Sequence, residues 1–171
     1  MQYAKGVGYE ISPEFMGKDR LLLKFLVGAK FDYIKAMKAM MDHSVWLRKT
    51  FPVNFGSVGA LLQTGIMYVT KRDKMFRPIV MVNVRRLLEQ DISIDALIEG
   101  SSFFFDFIVK KLLLPGKVEN WIIVIDLGGI ALTKIPVKKV GAIITNGASN
   151  FGARLFRNYN INASWTVRKS T

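Results

Sequence analysis

The order of hydrophobic patterns predicts an α/β fold: a helical N-lobe, then a mixed, mainly parallel β-sheet flanked by helices. Three observations carry this expectation. Apolar residues recur at helical spacing between Leu21 and Val45, the period changes from 3.6 to 2 near Gly65, and Trp121 to Ile125 is a continuous aromatic and β-branched run. Such a run marks a strand buried on both faces, as in parallel and mixed sheets. Strand-like and helix-like segments then alternate, which implies helices packed against a sheet.

Element by element, residues 1–18 contain Gly6, Gly8, Pro13 and Gly17 and read as a loosely ordered lead-in. Asp19 can cap a first helix over about 19–27, and Asp32 a second over about 32–50. In the second helix Ile34, Met37, Met41 and Val45 recur at helical spacing. Pro52 ends it, because the residue before a proline avoids helical geometry. Val58 to Gln63 is a short helical stretch leading to Gly65. Ile66 to Thr70 and Ile79 to Val84 read as a hairpin around the charged segment Lys71 to Arg77. Ser93 to Leu114 reads as a helix stopped by Pro115-Gly116, and Trp121 to Ile125 as the buried strand. Pro136 suits the first turn of a helix carrying Val137, Val140, Ile143 and Ile144. Tyr159 to Ala163 is the last strand. The resulting organisation is a helical lobe over residues 1–55 and an α/β domain over residues 56–171.

Composition narrows the function classes. The chain has 171 residues, no cysteine, one histidine and a net charge of +12, and half of its residues are hydrophobic. Disulfides and thiolate metal sites are therefore excluded, and a catalytic zinc or a histidine relay is not expected. No cofactor is expected. His43 stands between Asp42 and Ser44, but consecutive helical residues point about 100° apart and cannot form a relay. Gly128-Gly129 follows a strand without the G-x-G-x-x-G spacing or the immediate helix that a dinucleotide needs. The residues thus point away from an enzyme, which a carboxylate cluster around Asp126 would revive.

The basic residues are scattered pairs such as Arg48-Lys49, Lys71-Arg72 and Lys138-Lys139. Such pairs are solvated faces, and they also suit an anionic membrane surface. Nucleic-acid binders are seldom this apolar, so no nucleic-acid partner is expected. The most apolar stretches, 103–114 and 121–132, are interrupted by charges or glycines and fall short of the ~20 residues a spanning helix needs. The N-terminus has no apolar core of the kind found in signal peptides. A cytoplasmic protein with peripheral membrane association is the expectation, with the oligomeric state open. The excess of apolar residues suits either a hydrophobic cavity or a piece of a larger protein.

Several segments in a fixed order then resemble one family. They are LLLKFLVGAKFDYIKAMKAMMDHSVWLRK at 21–49, Asp73-Lys74-Met75-Phe76-Arg77-Pro78, WIIVIDLGGIALTKIP at 121–136, and FGARLFRNYNINASW at 151–165. Over roughly residues 19–165 the chain resembles the CRAL-TRIO lipid-binding and lipid-transfer domains. The resemblance implies binding of a lipid or other hydrophobic ligand in an apolar cavity. An alternative is a non-enzymatic scaffold or regulatory module that binds a protein partner. Val69, Val80, Val82, Ile122 and Val124 are the candidate cavity lining. Lys24, Lys30 and Arg154 are the candidate polar contacts.

Departures from the family pattern shape the ligand. Ala29 and Ala153 stand where phosphatidylinositol-binding members carry charged residues. Val69, Val80, Ile122 and Val124 stand where phosphatidylcholine-binding members carry tyrosines and hydroxyls. No strong phosphatidylinositol preference is expected. Phe76 replaces a usual glycine, which implies a different turn geometry. The family pattern continues beyond Ala163, so the resemblance also implies a C-terminally incomplete domain with one sheet face open.

Overall fold

The computed structural model describes residues 15, 18–53 and 55–163. Most of the expected lead-in, and Ser164 onward, lie outside the described residues. The chain divides into two compact units, Met1–Pro52 and Val53–Thr171.

The first unit is a helical hairpin, α1 (Asp19–Gly28) and α2 (Tyr33–Thr50). Its core is Phe15, Met37 and Met40, with Leu21, Leu22 and Phe25 packed against them. Asp19 is the first helical residue and not the cap. Lys18 holds the cap position without a side-chain bond, and Asp19 instead meets the positive end of the helix. Asp32 does cap α2, its Oδ1 accepting from the Lys35 N–H at 3.0 Å. The buried stripe of α2 is Ala36, Met37, Met40 and Ser44. Of the expected stripe only Met37 is in it; Ile34, Met41 and Val45 are exposed. Both sets satisfy helical spacing, and the face bearing small Ala36 and Ser44 is the one that packs.

The second unit begins with α3 (Phe55–Gln63), followed by the hairpin β1 (Met67–Arg72) and β2 (Pro78–Asn83). A short α4 (Val84–Glu89) follows directly, where the sequence reads as a continuing strand. Asn83 makes this switch, its Oδ1 capping the helix through the Arg86 N–H at 3.0 Å. Then come α5 (Ile94–Phe107), a π-helical extension (Ile108–Leu112), and β3 (Trp121–Asp126). A 3₁₀ turn (Leu132–Lys134), α6 (Val137–Asn150) and β4 (Leu155–Ile161) complete it. The last strand starts four residues before the expected Tyr159.

The sheet order is β1-β2-β3-β4. The first pair is antiparallel and the other two are parallel. This is the mixed, mainly parallel sheet expected. Helices α5 and α6 pack on each other. Asn146 joins them, donating to the hydroxyls of Ser101 (2.8 Å) and Ser102 (3.0 Å). Of the apolar residues expected to bury α6, only Ile143 is fully buried and Val137 is 72 % exposed. Gly147 takes part instead, because a Cβ there would stand 3.2 Å from the Phe105 ring.

Candidate functional site

Side chains alternate across a strand, so the register assigns every sheet residue to a face. One face carries Met67 and Val69 of β1, Val80 and Val82 of β2, and Trp121, Ile123 and Ile125 of β3. Trp121 stacks on Phe105 of α5 with ring centroids 5.2 Å apart and meets Phe151 edge-on. The helices cover this face. Val80, Val82 and Trp121 are at most 2 % exposed.

The opposite face is more open. Across all four strands runs one row in register, Tyr68–Met81–Val124–Tyr159. Beside it runs Ile79–Ile122–Arg157, and toward the strand ends Asn83–Asp126–Ile161. Tyr68 and Tyr159 are 42 % and 43 % exposed, while Met81 and Val124 are half-buried. The face is an apolar floor bounded by two tyrosines and one arginine.

The five apolar candidates therefore do not form one lining. Ile122 and Val124 lie on the open face; Val69, Val80 and Val82 lie on the covered one. Pairing with β3 sets Ile79 and Met81, not Val80 and Val82, beside Ile122 and Val124, and in a strand one step reverses the face. The correction changes the chemistry. The β1 position on the open face is Tyr68, not Val69, so this face carries a phenolic hydroxyl at each edge, from Tyr68 and Tyr159. Tyr68, Ile79, Met81, Arg157 and Tyr159 share the open face with Ile122 and Val124 and are not among the expected candidates. Tyrosines in apolar strands, with a greasy ring and a polar tip, were the available signal.

The polar candidates are dispersed. Lys24 is in α1 and Lys30 in the turn after it, both in the first unit. Arg154 is half-buried and donates to the Glu119 carbonyl at 3.3 Å. Desolvation lowers its pKa from the usual arginine value, opposed by the nearby Glu119 carboxylate. It braces the loop entering β3, whose Trp121 N–H also bonds the Arg154 carbonyl.

Asp126 orders a strand end. Its Oδ1 accepts from the Gly128 N–H at 2.9 Å and the Asn162 side-chain amide at 2.8 Å. The hairpin turn corrects another expectation. Phe76 has φ 60°, the left-handed conformation a glycine would adopt, so the turn keeps that geometry without glycine. Asp73 enforces it, accepting from the N–H groups of Met75 and Arg77 and from Arg77 Nε. Desolvation raises the Asp73 pKa, but the backbone and side-chain hydrogen bonds from Arg77 outweigh it and hold the carboxyl below its ordinary value. The Arg77 guanidinium also lies 3.5 Å from the Phe156 ring centre, at the start of β4.

This architecture is found among solved structures. The crystal structure of Sfh5 matches with a TM-score of 0.69 at 14 % identity, covering 89 % of this chain and 57 % of that one. At that identity the likeness is one of fold, and the chain spans a little over half of the matched protein. No curated protein matches the chain. The CRAL/TRIO domain profile matches residues 62–170, from the end of α3 through the whole sheet. The chain belongs to the CRAL/TRIO domain family, whose members bind lipids and other hydrophobic ligands.

Proposed function

We propose that the open face of the sheet binds a hydrophobic ligand, a phospholipid or a less polar lipid, for carriage or transfer between membranes. The observation that supports this most is the row Tyr68–Met81–Val124–Tyr159. An acyl chain laid along half-buried Ile79, Met81 and Val124 leaves water at a gain of ~25 cal/mol per Å² of apolar area, so a few hundred Å² supply several kcal/mol. The tyrosine hydroxyls and Arg157 offer partners to a headgroup, which would otherwise cost about 1–3 kcal/mol per unpaired polar group. Ala29 and Ala153 argue against a strong phosphatidylinositol preference. Residues 56–171 act as the ligand-binding part beside a helical lobe at 1–55. The net charge of +12 supports peripheral contact with an anionic membrane surface from the cytoplasmic side.

Native mass spectrometry of the expressed chain, with extraction and identification of bound lipid, tests the reading. Co-purified lipid whose uptake falls in Met81→Gln supports it. A lipid-free chain that takes up no labelled lipid in a transfer assay refutes it and favours a protein-binding module.

A further inference from the structure

The turn between α1 and α2 displays apolar side chains to solvent on a backbone that disfavours them. Phe31, Tyr33 and Ile34 are 59 %, 55 % and 57 % exposed. Val27, the next-to-last residue of α1, is exposed as well. Lys30 and Phe31 both have positive φ, 53° and 62°, although neither is glycine. Side chains other than glycine disfavour this region, so two in succession need a surrounding structure that holds them.

The turn is held by its own hydrogen bonds. The Phe31 N–H reaches the Leu26 carbonyl at 2.7 Å, the Lys30 N–H reaches Val27 and the Asp32 N–H reaches Ala29. Asp32 then caps α2 and pairs with Lys35 Nζ at 3.0 Å. Between Val27 and Lys38 the charged residues are Lys30, Asp32, Lys35 and Lys38, a net +2 from three cations and one anion. The single carboxylate is occupied within the turn. What faces solvent is a rigid apolar tip with a basic margin.

We propose that this tip is a membrane anchor. Phe31, Tyr33 and Ile34 enter the headgroup boundary of an anionic bilayer, and Lys30, Lys35 and Lys38 stay at the charged surface. The chemistry of the two parts favours a bilayer over a protein. Aromatic side chains favour the membrane–water boundary, and flanking cations are drawn to anionic lipid within a Debye length. Pre-formed rigidity means that little order has to be imposed on binding. The inference rests on the reading that the chain meets an anionic membrane surface, and it names the element that makes the contact.

The absence of cysteine allows a clean test on the whole chain. Single cysteines are introduced as Phe31→Cys and, for comparison, Phe107→Cys, which replaces another exposed phenylalanine far along the chain. Each carries an environment-sensitive dye and is mixed with vesicles of phosphatidylcholine alone or with phosphatidylserine. The expected result is a blue shift at position 31 and none at 107, with anionic vesicles only, lost at high salt. Vesicle flotation of the unlabelled double variant Phe31→Ser/Ile34→Ser should show binding reduced at least tenfold, with helical circular dichroism unchanged. Vesicle binding with a silent probe at 31, or an equal response at 107, overturns the tip while leaving membrane contact intact. No vesicle binding by the unaltered chain overturns both. Binding of the tip to a protein but not to vesicles assigns it to a protein partner and overturns the anchor.

Discussion

Val82 and Met81 are neighbours in one strand, and they meet opposite surroundings. Val82 lies on the face where Trp121 stacks on Phe105 of α5 and is 2 % exposed, whereas Met81 sits half-buried between two exposed tyrosines. Both faces of the sheet are built from the same apolar residue types. The covered face gains aromatic stacking and close packing from helices distant in sequence. The open face keeps apolar area that a ligand can still bury. Hydrophobicity alone does not tell the covered face from the open one; strand parity and the cover do.

Truncating the covered face should have the largest effect. Trp121→Ala removes the ring that stacks on Phe105 and meets Phe151 edge-on. It should cost ~3–5 kcal/mol, measured as the change in urea unfolding free energy. A loss under about 1 kcal/mol would mean that this face is no core.

A matched pair then tests the faces one residue apart. Val82→Asn buries an amide beneath the helices and should cost about 3 kcal/mol. Met81→Gln should cost about 1 kcal/mol or less while lowering uptake of a fluorescent lipid roughly tenfold, equivalent to ~1.4 kcal/mol of binding. Equal destabilisation by the two would erase the distinction between the faces.

Asn146 belongs to the cover. Asn146→Ala leaves the buried hydroxyls of Ser101 and Ser102 without the amide that joins α6 to α5. It should cost ~1–3 kcal/mol, with lipid uptake unchanged once the variant is folded. Selective loss of uptake at full stability would place this cluster in the binding mechanism.

The smallest effects belong to the hairpin turn. Phe76→Gly should raise stability by about 0.5 kcal/mol, the relief of a left-handed phenylalanine less the backbone entropy of glycine. The Asp73 carboxyl is lowered from an ordinary value of 3.8. Its contribution is therefore complete above that value and is lost as pH falls through the lower folded value. Asp73→Asn should flatten this acid dependence in urea midpoints and leave the neutral range nearly level. An unchanged acid profile would show that the cradle does not hold the turn.

The sequence by itself determined most of the elements and their order, with α4 the exception. The apolar spacing of α2, the β-branched run of β3 and the hairpin signal around Asp73 are local properties, and each element was found where those patterns predicted it. The ordered motifs over roughly residues 19–165 carry the family resemblance, because they encode turns and strand ends that chain chemistry specifies locally. Two apolar stripes on α2 satisfied the same period, and only docking against α1 selected Ala36, Met37, Met40 and Ser44 over Ile34, Met41 and Val45. The switch of chain direction at Asn83 was hidden because Val84 continued an apolar strand pattern. The face each hairpin residue occupies was decided by pairing with β3, some forty residues away. A strand alternates with period two, so its pattern states that two faces exist. Which one the helices cover is a long-range contact, and it separates Val80 and Val82 from Tyr68, Met81 and Val124.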